Sequence, residues 1–159
     1  MVLRSKMEAL NSRLCRWELF CYVLSDFGRS GANYQELNNL LAACLEKLMI
    51  LFQDLEKQPS SKKEQIKFME RFYFIAGIHL DFIFASNEEI RRNFTALLND
   101  LSRAFNELKK TDFSSDEKIE KQAQRTGKII AYFNKQMRDM EEEVAKKKPF
   151  FGIKKRSRG

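Results

Sequence analysis

The sequence predicts an all-α fold: an antiparallel bundle of five helices, with an apolar third helix at its centre and a long C-terminal helix. Three observations support this prediction. The 159 residues include only 6 glycines and 2 prolines, helix-start signals divide the chain into segments of similar length, and apolar residues recur at steps of three and four. The length is that of one domain, so we expect a single core.

Helix starts are marked by four motifs that place a capping side chain three residues ahead of a glutamate. These motifs begin at Asn33, Ser61, Ser86 and Ser114. Proline cannot donate a backbone hydrogen bond, so Pro149 is expected to follow the end of the last helix. The predicted helices cover approximately residues 3–27, 34–57, 62–85, 87–110 and 115–146.

The apolar pattern of segment three differs from that of the other segments. Segments one, two, four and five each carry one apolar stripe, which is typical of coiled-coil-like packing at shallow angles. Between Ile66 and Phe84, apolar residues fall on nearly every face of the third helix. A helix that is apolar all round has to be surrounded by others, so we place it at the centre. Short connections then make sequential helices antiparallel, and the long fifth helix should project past the body.

The net positive charge of the chain is concentrated at its C-terminus. The chain has 29 basic and 22 acidic residues, which gives a net charge of +7. Seven of the basic residues and none of the acidic ones lie in residues 146–159, so residues 1–145 hold 22 of each sign. We therefore divide the chain into a helical body, 1–145, and a basic, aromatic tail, 146–159.

The tail has the composition of a docking segment, because three large apolar side chains lie between two basic clusters. Basic residues attract anionic surfaces, and apolar side chains anchor the contact. By the predicted helix directions, three arginines of the body lie at the same end as the tail. The predicted partner- or anion-binding residues are Lys146, Lys147, Lys148, Phe150, Phe151, Ile153, Lys154, Lys155, Arg156 and Arg158, together with Arg29, Arg91 and Arg92.

Several functional hypotheses follow from this division. In the first, the chain is a non-enzymatic adaptor or regulatory protein whose tail docks to an acidic protein partner or an anionic membrane surface. In the second, it is a nucleic-acid-associated accessory protein that uses the tail and nearby arginines on phosphates. In a third hypothesis, the protein forms a homodimer where the fifth helix extends beyond the other helices, through Met137, Met140 and Val144. The plainest alternative is a tail that folds back onto the bundle end.

Catalytic and metal-binding signatures are missing from the sequence, so we expect no enzyme, no metal site and no cofactor. The single histidine, His79, and Asp81 are two residues apart and do not share a helix face. Asp81 has apolar neighbours and is expected to pair with a cation from another segment. Cys15, Cys21 and Cys44 lack metal or disulfide spacing and are expected to be reduced packing residues. Without a secretory signal or a span, the chain is predicted to be cytoplasmic, with peripheral membrane attachment left open.

Overall fold

A computed structural model describes the backbone of residues 2–27, 34–58, 60–111 and 115–156, and the side chains of residues 4–24, 35–58, 60–111 and 115–143. All regular secondary structure in these ranges is helical, which confirms the all-α prediction. The described residues form six helices rather than the predicted five. They are α1 (Val2–Phe27), α2 (Tyr34–Glu56), α3 (Lys62–Ile78), α4 (Leu80–Ala85), α5 (Glu88–Lys109) and α6 (Glu117–Arg156).

The sixth helix arises because predicted segment three is broken at His79. This residue has φ −104° and ψ 18°, so it ends α3 and begins α4. Its amide donates to the Ile75 carbonyl at 3.2 Å, and its carbonyl accepts from the Ile83 amide at 2.9 Å. Gly77, two residues earlier, has low helix propensity, which favours a break at this point. The turn keeps the backbone hydrogen-bonded while it changes direction.

Of the four predicted cap residues, Ser61 and Ser86 are described, and neither caps the helix that follows it. Asn87 caps α5 by accepting from the Ile90 amide at 2.9 Å, whereas the Ser86 hydroxyl donates to the Ile83 carbonyl at the end of α4. Asp116 caps α6 by accepting from the Ile119 amide. The predicted caps Asn33 and Ser114 lie outside the described residues.

Ser61, the predicted cap of α3, connects two helices instead. Its hydroxyl lies 2.7 Å from the Leu55 carbonyl and 2.8 Å from the Gln58 carbonyl, at the end of α2. The same oxygen accepts from the Gln65 side-chain amide at 2.7 Å. It makes no side-chain bond to a backbone amide of α3. Ser61 therefore ties the end of α2 to the first turn of α3.

The helices pack partly as parallel pairs of elements that are distant in sequence. The α2–α5 pair is joined near its start by Asn93 donating to the Ala42 carbonyl at 2.9 Å, and near its end by Arg103 and Glu56 at 2.9 Å. In the α3–α6 pair, Glu70 contacts Arg125, and a Cβ added at Gly77 would meet the side chain of Gln136 at 3.4 Å. Residue numbers rise together in both pairs, so both pairs are parallel.

An aromatic cluster fills the centre of the core, where α1, α3, α5 and α6 meet. The Phe72 ring stacks on Trp17 with centroids 4.6 Å apart and lies 6.0 Å from the Phe94 ring. Phe133 of α6 contacts both Phe94 and Tyr73 edge-on. Stacked and edge-on pairs at these separations add to the stabilisation from apolar burial.

The third helix is only partly surrounded, which corrects the expectation that every face of it is buried. Helix α3 contacts α1, α2, α5 and α6, and Phe68, Met69 and Phe72 are buried. However, Phe74 and Ile78 are exposed, with 61% and 50% of their surface accessible. The all-round apolar pattern therefore combines a buried face with an exposed apolar one.

The C-terminal helix extends beyond its predicted end near residue 146. Helix α6 runs without interruption from Glu117 to Arg156, through Pro149 and Gly152. A proline inside a helix removes one hydrogen bond and strains the preceding turn, but it does not have to end the helix. Glutamates 142 and 143 stand four residues before two lysines in the sequence, a spacing that favours helix formation here.

Candidate interaction surfaces

The predicted tail forms the last turns of α6 rather than a separate peptide. The backbone of residues 146–156 is helical and continuous with the part of α6 that packs on the body. The side chains beyond residue 143 lie outside the described residues, and so do Arg29 and Arg158 as a whole. The structure thus places the basic segment on the C-terminal extension of α6.

Two of the three predicted anion-binding arginines of the body, Arg91 and Arg92, lie on the first turns of α5. The Arg91 guanidinium donates to the Ser86 carbonyl at 3.0 Å and to the Phe84 carbonyl at 3.3 Å. It therefore satisfies carbonyls at the end of α4, a structural role that the sequence did not reveal. Arg91 and Arg92 are exposed and line a groove of about 600 Å³ between α5 and α6.

Two of the residues predicted for self-association pack within the chain. Met137 lines the same groove as Arg91 and Arg92. Met137 and Met140 are both half-buried against the hydrophobic core. Val144 has no described side chain. The structure thus brings Met137 together with the two arginines, at a level where α6 passes the start of α5.

A surface that the sequence did not predict is formed by α1, α3 and α6 on one side of the protein. Tyr22 of α1 contacts the ring of the buried His79 edge-on at 4.6 Å, which places it next to Ile78. On α6, Tyr132 has 66% of its surface exposed. We call this surface the α1–α3–α6 face and define it by five exposed side chains: Leu19, Tyr22, Phe74, Ile78 and Tyr132.

The deepest part of this face is a groove between α3 and α6. Its volume is about 450 Å³, and Phe74, Ile78 and Tyr132 stand on its walls. Gly77 also lines this groove, and a Cβ added there would meet the side chain of Gln136 at 3.4 Å, an ordinary van der Waals contact.

A signal for this face is present in the sequence. Lys63, Lys67 and Arg71 follow each other at steps of four along α3, and all three are exposed. Steps of three and four from Arg71 lead to Phe74 and Ile78 on the same stripe. These three basic residues therefore mark the solvent-facing side of the helix, on which the two apolar residues also lie.

Ion pairs connect α3 to α1 and to α6. Arg71 Nη2 lies 4.0 Å from a carboxylate oxygen of Glu18 on α1. Arg125 of α6 donates to both carboxylate oxygens of Glu70, and Gln122 donates to one of them at 3.4 Å. The hydrogen bond from Arg125 is the main reason why the pKa of Glu70 is lowered from its ordinary value of 4.5.

Replacing Glu70 by glutamine should therefore destabilise the protein in a pH-dependent way. A carboxylate whose pKa is lower in the folded state adds stability above its unfolded pKa, and this stability is lost as the pH falls through the folded pKa. We expect Glu70→Gln to unfold at lower urea concentration than the wild type at pH 7, and the difference to vanish in acid below the folded-state pKa. Urea titrations between pH 7 and acid measure the difference in stability between the two proteins. Glu46→Gln is the control, since Glu46 is exposed. A difference that stayed constant with pH would contradict the assignment.

Of the residues considered for chemistry, His79, Cys21 and Cys44 are buried, whereas Cys15 and Asp81 are exposed. His79 is buried, as expected for a core residue. Asp81 is exposed, so the expectation that it needs a cation from another helix is wrong: water solvates its charge. Burial raises the pKa of the Cys21 thiol, and it raises that of Cys44 to about 11. Both thiols are therefore protonated and weakly nucleophilic at neutral pH.

In the ranges given above, no three His, Cys, Asp or Glu side chains are grouped so that they could hold a metal ion. Within the same parts of the chain, no helix has the length and apolar character needed to cross a membrane. No protein-family model, curated protein or solved structure matches this chain.

Proposed function

We propose that this protein is a non-enzymatic helical adaptor or regulatory protein, which docks through its basic C-terminal segment to an acidic protein partner or an anionic membrane surface. The observation that carries the proposal is the division of charge. Residues 146–159 hold seven basic residues and no acidic one, whereas residues 1–145 hold 22 of each sign. The body has no surplus with which to attract an anionic partner, and the segment has the entire surplus.

The course of α6 supports this role. Glu141 lines the groove next to Glu88 and Arg92, so α6 passes the first turn of α5 at this level. Its backbone continues to Arg156, and 15 further residues at 1.5 Å each extend the helix by about 22 Å. A helical extension would present the basic segment at a fixed position relative to the body. Phe150, Phe151 and Ile153 would supply the apolar part of the contact.

The experiment compares the full chain with a variant ending at Ala145. Vesicles with anionic lipid, vesicles with zwitterionic lipid and an acidic peptide serve as probes, each at low and physiological salt. We expect the full chain to bind an anionic probe and the shortened variant to bind it at least roughly tenfold more weakly, with a flatter salt dependence. Equal binding by both forms would remove the segment from the function.

Two variants of the full chain separate the contributions of charge and apolar anchoring. In one, Lys146, Lys147 and Lys148 are replaced by glutamine. In the other, Phe150 and Phe151 are replaced by serine. Loss of salt dependence only in the lysine variant would assign the attraction to charge, and loss of affinity in the phenylalanine variant would assign the anchoring to the rings.

Nucleic acid is the alternative partner, and the same proteins test it. A gel shift on single- and double-stranded probes should show a steep salt dependence if several phosphates are neutralised. Because the Arg91 guanidinium is hydrogen-bonded to carbonyls of its own chain, the body offers less to such a partner than the sequence suggested. Strong binding to nucleic acid without binding to vesicles or acidic peptide would replace the adaptor proposal.

A further inference from the structure

The α1–α3–α6 face concentrates exposed apolar surface on one side of the protein. Seven large hydrophobic side chains are exposed among the described residues, and five of them lie on this face. The other two, Leu40 and Ile50, belong to α2. Single exposed apolar residues are ordinary on protein surfaces, whereas a cluster around a groove is typical of an interaction site.

Charged residues at the two ends of the face have opposite signs and stand at matched distances from its middle. Along α3 and α4, Lys67 precedes Phe74 by seven residues and Asp81 follows it by seven. Along α6, Lys128 and Asp139 are centred between residues 133 and 134. All four charged side chains are exposed.

The two midpoints lie at the same level of the structure. The rings of Tyr73 and Phe133 are in edge-on contact, with centroids 5.2 Å apart. These residues are the neighbours of the midpoints on α3 and on α6. These four residues give the face a basic end and an acidic end about one line across the helices, and two further exposed basic residues, Arg71 and Lys135, lie closer to that line.

This arrangement is complementary to itself when a second copy is turned end for end. A two-fold axis along that line sets α3 against α3 and α6 against α6, each pair antiparallel. Lys67 then faces Asp81 of the other copy, and Lys128 faces Asp139 of the other copy. A two-fold axis parallel to the helices would instead set Lys67 against its own equivalent and α6 against α1 of the other copy, so neither of these pairs would form.

We propose that the α1–α3–α6 face binds a second copy of this chain, in an antiparallel two-fold dimer centred at Phe74 and Phe133. Three helices with axes about 9 Å apart, over roughly 25 Å of length, offer an area on the order of 700 Å² per copy. This is close to the roughly 800 Å² that each partner contributes to a standard interface. The exposed rings of Phe74 and Tyr132 form the apolar centre. The proposal uses no residue of the basic segment, so it is independent of the docking function.

The first test is the molecular mass in solution, measured by sedimentation equilibrium on the full chain up to about 200 µM. We expect a dimer for the wild type and a monomer for Phe74→Asp and for Tyr132→Asp. Leu40→Asp and Ile50→Asp, which change exposed apolar residues of α2, are the matched controls and should stay dimeric. Circular dichroism confirms that each variant is folded. A monomeric wild type, or a dimer that Phe74→Asp leaves unchanged, would overturn the proposal and assign the face to another occupant.

The second test concerns the orientation of the two copies. Lys128→Glu and Asp139→Lys should each weaken the dimer roughly tenfold, because each sets like charges opposite one another. The double variant restores opposite charges and should dimerise like the wild type. A mixture of the two single variants should form a heterodimer for the same reason. If neither the double variant nor the mixture recovers the association that the single variants lose, the antiparallel arrangement is wrong.

Discussion

Replacing Phe72 by alanine should lower the free energy of unfolding by about 3–5 kcal/mol, the range found when a large buried aromatic residue is truncated. Phe72 is fully buried and stacks on Trp17 with centroids 4.6 Å apart. The rings of Phe68, Tyr73 and Phe94 lie within 6.0 Å of its centroid. A cavity at this position would remove contacts from three helices at once, and close packing limits how far they can relax to fill it.

The matched control for this change is Phe74→Ala, two residues further along α3. Because Phe74 is 61% exposed, its truncation should cost less than about 1 kcal/mol. Urea denaturation followed by circular dichroism measures both variants, provided that the slope of the transition stays constant. It should be done at low protein concentration so that association does not contribute. Similar losses for the two variants would contradict the assignment of Phe72 to the centre of the core.

Replacing Ser61 by alanine should have the second largest effect on stability, a loss of about 1–3 kcal/mol, because it leaves the buried side-chain amide of Gln65 without its partner. Ser61 is fully buried, and its oxygen accepts from the side-chain amide of Gln65. Its hydroxyl is also within 2.7 Å of the Leu55 carbonyl. Alanine cannot accept from Gln65, whereas the Leu55 carbonyl keeps its bond from the Gln58 amide at 3.0 Å. The connection between α2 and α3 loses the side-chain hydrogen bonds of Ser61.

Ser60→Ala is the control, since Ser60 is the neighbouring residue and is exposed. It should change the free energy of unfolding by less than about 0.5 kcal/mol. The same urea titrations compare the two serines directly. Equal and small effects would mean that water readily replaces the Ser61 hydroxyl.

The existence and approximate limits of the helices could be predicted from the sequence because these features depend on local signals. Start motifs and apolar periods act within one or two turns. The predicted start at residue 87 is one residue from the start of α5 at Glu88, although Asn87 caps this helix instead of the predicted Ser86. The break at His79 could not be predicted in this way. It lies inside a continuous apolar run, and the position of the buried ring against Tyr22 depends on another helix.

The pairing of helices could not be predicted from the sequence pattern either. An apolar stripe shows which side of a helix is buried but not which helix covers it. The α2–α5 pair depends on contacts such as Asn93 with the Ala42 carbonyl, 51 residues apart. The α1–α3–α6 face was missed because Phe74 and Ile78 were counted as core residues, although the basic residues Lys63, Lys67 and Arg71 mark their side of α3 as solvent-facing. The charge division, in contrast, is a property of the sequence alone.

The parallel pairing of distant helices has a consequence for how the chain folds. The side-chain bonds that join α2 to α5 and α3 to α6 span 47 to 55 residues of chain. Closing loops of this length costs entropy before any contact compensates for it, and proteins rich in such contacts fold more slowly than simple up-and-down bundles. During synthesis, α2 and α3 therefore cannot form these contacts until α5 and α6 have left the ribosome. Until then, the apolar sides of the early helices remain open to chaperones and to other nascent chains.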